Sequence, residues 1–359
     1  MASRPDQTRI PLRPLGNSGL EVSAIAFGTG DNAGLMVKGR EAQQTAAVAR
    51  ALELGINVFD TSPDYGKGLA EGNLGRALRT LRHDTAAANA IISTKVEIMP
   101  PDLGDIAGKV VRSVDDSLRR LGRDAVDILM IHNPPRLNRD PSAAYWTPLT
   151  PADFLGPALE GLERVRAQGK ARHFGFTCEN AQAAAVIPLL ETGRFAAINC
   201  WYNLVNPSAG RVMPEGVRFG ADYDDYGGII TAAGRCGVGV AVIRPLAGGG
   251  LTRQVIAAGA AGRHALAGGV YSRKPEAFRP EIERARAFAF LDRPEASPPR
   301  SLPQAAYQFA LMHPAVSTVV GGYSDLAQLE EVALGAVMRP LDAGELERID
   351  RIWASNFGL

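Results

Sequence analysis

INVFD (56–60), LAEGNLGRALRTL (69–81), IISTK (91–95), IAGKVVRSVDDSLRRLG (106–122) and VDILMIH (126–132) follow one another along the chain. The three short members are apolar runs rich in β-branched residues. The two long members repeat apolar residues every three to four positions, and Gly122 closes the second. The stretch therefore reads strand, helix, strand, helix, strand. The strands are apolar at consecutive positions, without alternation. That pattern fits strands covered on both faces, as in a parallel sheet flanked by helices.

The alternation extends in both directions. Upstream lie VSAIAF (22–27), a strand, and EAQQTAAVARALELG (41–55), a helix closed by Gly55. Downstream come a helix at 154–169, strand ARHFGF (171–176), a helix at 180–193 and strand AAIN (196–199). Then follow a helix at 224–237, strand VGVAVI (238–243), helix SLPQAAYQFALMHP (301–314), strand VSTVV (316–320) and helix SDLAQLEEVA (324–333). Eight strand-then-helix units in this length point to an α/β fold, the closed (β/α)8 TIM barrel, as one domain over 1–359. Three parts stand outside the count: RIPLRPLGNSGLEVS (9–23), read as a β-hairpin capping the barrel floor; long loops at 133–152, 203–223 and 244–300; and a final helix, DAGELERIDRIW (342–353). Loops longer than about 15 residues in a compact domain are usually lids or binding loops.

Composition excludes several classes. With 359 residues, 46% hydrophobic and 21% charged, the chain is that of a folded globule. Lys+Arg against Asp+Glu is 39 to 38, so no uniform field exists to hold nucleic acid or an anionic membrane. Three scattered cysteines, Cys178, Cys200 and Cys236, make no disulfide framework. No CxxC or HExxH occurs, so no metal is expected. MASRPDQTRIP lacks the apolar core of a signal peptide, and no run of 18 apolar residues occurs. A reducing cytoplasm is the expected compartment. The expected partner is a small molecule, with the chain as a monomer or small homo-oligomer.

In such a barrel the C-terminal strand ends face the active site. Those ends are Thr29, Asp60, Lys95, His132, Thr177, Asn199, Arg244 and Gly321. An acid, an ammonium and an imidazole thus close three consecutive strands. Each alone has an ordinary structural explanation; together at one mouth they must pair, because isolated buried charges are strongly disfavoured. Tyr65 follows Asp60 by five residues in FDTSPDYGKG, close enough to lean over the mouth. A phenol is a poor acid at neutral pH, and a nearby Lys95 is expected to lower its pKa. Asp60 would hold Lys95, and His132 would donate a hydrogen bond to the same substrate oxygen. That set suits reduction of a carbonyl by hydride.

These residues carry a resemblance. LGNSGLEVSAIAFGTG (15–30), GINVFDTSPDYGKGLAEGNLGRAL (55–78), IISTK (91–95), SVDDSLRRLGRDAVDILMIHNP (113–134), GKARHFGFT (169–177) and VVGGYSDLAQLEEVA (319–333) resemble the aldo-keto reductases, over nearly the whole chain. The resemblance implies their barrel, a nicotinamide cofactor lying extended across the mouth without a Rossmann domain, and a tetrad falling on Tyr65, Lys95, Asp60 and His132. It also implies cofactor contacts at Gly28, Thr29 and Asp60, and at Thr177 and Cys178, where the family usually carries Ser-Asn. Cys200 stands for the usual Gln, Ile243 for the stacking aromatic and Arg244 for a frequent Ser. Pro245, Leu246, Gly248 and Gly249 follow on the diphosphate side. Arg244 has two readings: a charge-assisted contact to the diphosphate, or a partner for a nearby acid.

The adenosine end falls on Gly322, Ser324, Gln328 and Glu331 of GGYSDLAQLEEV (321–332). Members that bind NADP place Arg or Lys here against the 2′-phosphate. No basic residue occurs from Gly321 to Ala336, and Ser324 takes the Arg position. NAD is therefore favoured over NADP, with Arg253, Arg263 and Arg273 as cations that the long loop could still supply. The combination resembles the sugar (aldose or galactose) dehydrogenases, and suggests oxidation of a sugar or related alcohol. Tyr145, Trp146, Trp201, Tyr202 and Trp353 either line the substrate pocket or pack loops, with Tyr65 and His132 also touching substrate.

Two rivals remain in view. GTGDNAG (28–34) superficially resembles a dinucleotide-binding loop, but the spacing is not GxGxxG and Asp60 follows about 30 residues on, not about 20. A nicotinamide-binding sensor or regulatory protein on the same barrel, with little turnover, is the alternative to an enzyme.

Overall fold

In the computed structural model, residues 9–139, 147–215, 217, 225–269 and 275–359 are described. Strands β1 (Leu12–Pro14) and β2 (Glu21–Ser23) pair antiparallel as the expected hairpin. Eight further strands form a closed parallel barrel: β3 (Ile25–Gly28), β4 (Val58–Asp60), β5 (Ile91–Val96), β6 (Val126–Ile131), β7 (Ala171–Thr177), β8 (Ala197–Trp201), β9 (Gly239–Ile243) and β10 (Val316–Gly322). They run in chain order, and β10 pairs with both β9 and β3 to shut the ring.

Outside the ring lie α1 (Glu41–Glu53), α2 (Leu69–Thr80), α3 (Ile106–Leu121), α4 (Leu159–Ala167), α5 (Ala183–Glu191), α6 (Ile229–Arg235), α7 (Leu302–Leu311) and α8 (Leu326–Val337). A last helix, α9 (Ala343–Ala354), follows. Their ends obey local chemistry. For α3, the Asp105 carboxylate accepts the Gly108 N–H at 2.9 Å and Gly122 stops the helix at φ +65°. Its buried residues, Ile106, Val110, Val114, Leu118 and Leu121, recur at helical spacing and face the barrel.

Two apolar layers result from strand alternation. Phe27, Phe59, Ile92, Leu129, Phe176 and Ile198 pack outward against the helices. Ala26, Val58, Ile91, Ile128, Met130, Ala197, Ala241 and Val320 fill the interior, and Leu15 and Val22 of the hairpin join them from below. The hairpin turn fits tightly. Gly16 has φ +50°, and a Cβ there would lie 2.3 Å from the Gly237 carbonyl oxygen.

Three expectations are corrected. The run 22–27 is not one strand but is split at Ala24 between hairpin and barrel. Ser23 and Asn57 cause the break: the Ser23 N–H donates to Asn57 Oδ1 at 2.7 Å, and the Asn57 N–H to Ser23 Oγ at 3.1 Å, diverting the ladder. The region 244–300 is not only loop. It carries short helices at Arg253–Ala258 and Arg279–Arg286, which bury Val255, Phe278 and Ile282 together. The helix expected from 154 begins instead as a π-turn over Phe154–Ala158, where Pro157 cannot donate an N–H. No helix among the described residues is long and apolar enough to cross a membrane.

Candidate active site

Inward-facing side chains at the C-terminal strand ends meet in one layer above the apolar interior. Asp60 ends β4 and Lys95 points inward from β5; they are 4% and 2% exposed, and their charged groups meet at 2.6 Å. Two further bonds brace the pair: the Ser93 hydroxyl donates to Asp60 Oδ2 at 3.1 Å, and Lys95 Nζ donates to the Thr61 carbonyl at 2.8 Å. Burial works against the Lys95 charge, but Asp60 outweighs it, and the Lys95 pKa is raised.

Tyr65 is carried by a tight turn after β4, in which its N–H donates to the Ser62 carbonyl at 3.2 Å. Behind the turn, the buried Glu71 of α2 accepts from Thr94 Oγ1 and Arg120 Nε, both at 2.6 Å, and so ties α2 to β5 and α3. The Tyr65 ring lies edge-on to the His132 ring with centroids 5.9 Å apart, and Lys95 Nζ stands 5.0 Å from the Tyr65 ring centre. The four groups expected at the mouth therefore converge.

Their electrostatics differ from expectation at one point. Tyr65 is partly exposed at the rim. Withdrawal from water nevertheless pushes its phenol up to about 12; Lys95 opposes the rise, while Asp60 and Glu179 add to it. Lys95 thus acts in the expected sense but does not prevail. His132 is held well below its ordinary pKa by burial and by Lys95, so its imidazole is neutral.

A cleft of about 1680 Å³ runs from this tetrad across the mouth. Gly28, Thr177, Asn199, Trp201, Ile243, Arg244, Pro245, Leu246, Gly248 and Gly249 line its middle. Gly322, Ser324, Gln328 and Glu331 line its far end. Three expected contacts do not face it. Cys178 and Cys200 are fully buried among outward-facing core residues, because each sits one position beyond an inward-facing residue. Asn199, with Thr177, takes their place. Thr29 does not line the cleft; its hydroxyl braces the Asp60 turn, donating to Thr61 Oγ1 at 2.8 Å or to the Asp60 carbonyl at 3.2 Å. Tyr145 and Trp146 lie outside the described residues.

The Thr177 hydroxyl and both polar atoms of the Asn199 amide are buried and lack a hydrogen-bond partner among the described residues. Both side chains line the cleft, so they leave unmet polar capacity where a carboxamide would fit. Arg244 makes the second of its expected contacts, a pairing with an acid. It lines the cleft and pairs with Glu179 at 3.3 Å, while its guanidinium lies over the Trp201 ring at 4.9 Å. Its backbone is left-handed at φ +57°, and its carbonyl accepts from Asn203 Nδ2 at 2.8 Å. Such a conformation in a non-glycine residue persists only where the surroundings enforce it. Among the described residues, no cluster of His, Cys, Asp and Glu could hold a metal.

At the far end, Ser324 Oγ donates to the Ala33 carbonyl at 2.6 Å, and Asp325 caps α8 through the Gln328 N–H at 2.9 Å. Arg263 reaches the cleft from the other side, where its Nη2 donates to the Asn32 and Gly268 carbonyls. Arg253 is paired with Asp292 at 2.6 Å, and Arg273 lies outside the described residues.

Reading strand ends alone missed Asp31, Asn32, Asp64, Lys67, Glu179 and Asn180, which also line the cleft. All lie within seven residues after a strand end. Glu97, just past β5, does not line the cleft but is a perturbed acid of this region. Burial pushes its carboxyl up to about 7; Asp64 and Asp102 add to the rise and Lys109 opposes it. The folded-state value lies above the unfolded one, so the associated stability is full at low pH and is lost as pH rises through about 7. Glu97→Gln is expected to raise the melting temperature at pH 8 and to raise it much less at pH 5, closer to the ordinary carboxyl value, as thermal unfolding at the two pH values will show.

Comparison with known proteins agrees with this arrangement. A sequence profile of the "Aldo/keto reductase family" matches residues 24–354. L-galactose dehydrogenase of Arabidopsis thaliana is 29% identical over 324 residues, 90% of this chain and 87% of that protein. D-threo-aldose 1-dehydrogenase of a Pseudomonas species is 27% identical over 55% of this chain and 63% of its own length. The holo structure of the aldo-keto reductase AKR11C1 from Bacillus halodurans superposes with a TM-score of 0.66, at 23% identity, over 96% of this chain and 97% of that one, and so shares the barrel. The profile match, spanning nearly all of the chain, makes it a member of the aldo/keto reductase family of oxidoreductases.

Proposed function

We propose that the protein is an NAD-dependent dehydrogenase of the sugar type, which interconverts an alcohol and a carbonyl at the mouth of the barrel. The observation that carries the reading is Tyr65 set edge-on to a neutral His132 and 5.0 Å from the ammonium that Asp60 holds. Bound nicotinamide would supply the hydride in one direction and accept it in the other. Thr177 and Asn199 would hold its carboxamide, because their unmet polar atoms complement an amide. Gly248, Gly249 and Arg244 would lie along the diphosphate. The far end, with Ser324, Gln328 and Glu331, would take the adenosine.

The chain's own groups divide the proton work. Tyr65 stays protonated at neutral pH and donates to the carbonyl oxygen during reduction; in oxidation its phenolate takes the proton back. Lys95 stabilises that phenolate as it forms, and Asp60 keeps Lys95 charged and in place. His132 carries no charge and orients the substrate oxygen through a hydrogen bond. Trp201 and Glu179, which line the same cleft, would bound the substrate. Similarity to L-galactose dehydrogenase and D-threo-aldose 1-dehydrogenase supports a polyhydroxylated substrate.

For the cofactor, a 2′-phosphate at the far end would meet Asp325 and Glu331 and no cation on its own loop. NADH is therefore expected to bind more tightly than NADPH by about tenfold or more in a fluorescence titration. Steady-state assays with NAD and a panel of aldoses test the activity. Turnover of an aldose supports the proposal. Tight dinucleotide binding with no turnover of any aldose or aldehyde would transfer the case to a redox sensor on the same barrel.

A further inference from the structure

A buried serine hydroxyl touches the imidazole of the site, and the oxidoreductase reading does not use it. Ser62 is 0% exposed and opens the turn that ends at Tyr65. Its Oγ accepts the Asp64 N–H at 3.3 Å, with Pro63 between them, so the side chain closes the turn as well as the backbone does. The same Oγ lies 3.3 Å from Nδ1 of His132, which is 2% exposed.

Proton bookkeeping sets the direction of this contact. A serine hydroxyl has one hydrogen and two lone pairs. The Asp64 N–H occupies a lone pair. The hydrogen needs an acceptor, because the group is out of water. Among the described contacts of Ser62 Oγ, Nδ1 of His132 is the acceptor within reach. A hydrogen on Nδ1 would instead leave the serine hydrogen facing no acceptor. The contact also requires a ring without a second hydrogen, and His132 meets that condition, since burial and the neighbouring Lys95 keep the imidazole neutral.

We propose that Ser62 is a positioning residue: its hydroxyl donates to Nδ1 of His132 and holds the ring as the tautomer with hydrogen on Nε2. The consequence is directional. The Nε2 hydrogen makes His132 a donor toward a substrate oxygen. The other tautomer would present a bare lone pair, which repels a carbonyl oxygen or a forming alkoxide. One residue thus sets both the turn that carries the phenol and the donor that faces it. The catalytic consequence rests on the oxidoreductase reading, whereas the tautomer does not.

Long-range proton–nitrogen NMR spectra of the full-length protein labelled with 15N-histidine read the tautomer directly. The sequence has five histidines, and the His132 signals are assigned by their loss in His132→Gln. The wild type is expected to show a single Nε2–H tautomer. Ser62→Ala is expected to lose that preference, to keep its dinucleotide affinity, and to lower kcat by about tenfold. An Nδ1–H or mixed tautomer in the wild type overturns the proposal, as does an unchanged tautomer in Ser62→Ala. If no substrate is turned over, the activity assignment fails while the spectra still decide the role of the serine.

Discussion

Tyr65→Phe is expected to fold, to bind NADH as the wild type does, and to lose about three orders of magnitude in kcat. The substitution removes one oxygen from a ring that keeps its edge contact with His132. The loss therefore reports the proton and not the packing. A pH profile adds a second signature. With the phenol pushed up to about 12, wild-type alcohol oxidation should climb steadily through the alkaline range, because the phenolate fraction climbs. Carbonyl reduction should stay level over the same range. Tyr65→Phe should abolish the climb. Wild-type kcat in that variant, or an unchanged profile, would remove Tyr65 from the chemistry.

Lys95→Met is expected to damage both stability and turnover. It leaves the Asp60 carboxylate buried with the Ser93 hydroxyl but no counter-charge. Removing one partner of a buried ion pair typically costs about 3 kcal/mol or more. The effect has a pH signature with a definite sign. The Lys95 pKa is raised in the fold, so the pair's contribution is full below the ordinary lysine value and fades as pH rises through the folded one. Denaturant unfolding should therefore show the gap between wild type and variant at pH 7 and a smaller gap above about pH 10.5. An equal gap at both would mean that packing, not charge, is lost.

Much of this site was legible in the amino-acid order, for a physical reason. Parallel strands buried on both faces read as apolar runs, so an ionisable residue at the end of one, such as Asp60 or His132, stands out against its strand. Lys95 stood out in the same way. The errors came from the two-residue alternation. Cys178 and Cys200 follow Thr177 and Asn199 directly, and a contact assigned one position late falls on the helix side of the sheet. Thr29 failed for the same kind of reason: it lies just past the end of β3 and turns to the backbone of the next strand. The helices at Arg253–Ala258 and Arg279–Arg286 were hidden because they bury only a small separate cluster, and so their apolar pattern is brief. Ser62 carried a local cue, the Ser-Pro-Asp-Tyr turn. Its approach to His132, 70 positions away, depends on the pairing of strands.

The ring itself has a consequence for how the protein comes into being. Asp60, Lys95, His132, Thr177 and Asn199 each ride on a different strand, and the circle is shut only when β10 reaches β3. A nascent chain still lacking β10 would leave the same acid, ammonium and imidazole on an unclosed sheet, open to water from the side. The proposed turnover should therefore appear only once β10 has joined β3, which makes its rate a reporter of completed closure.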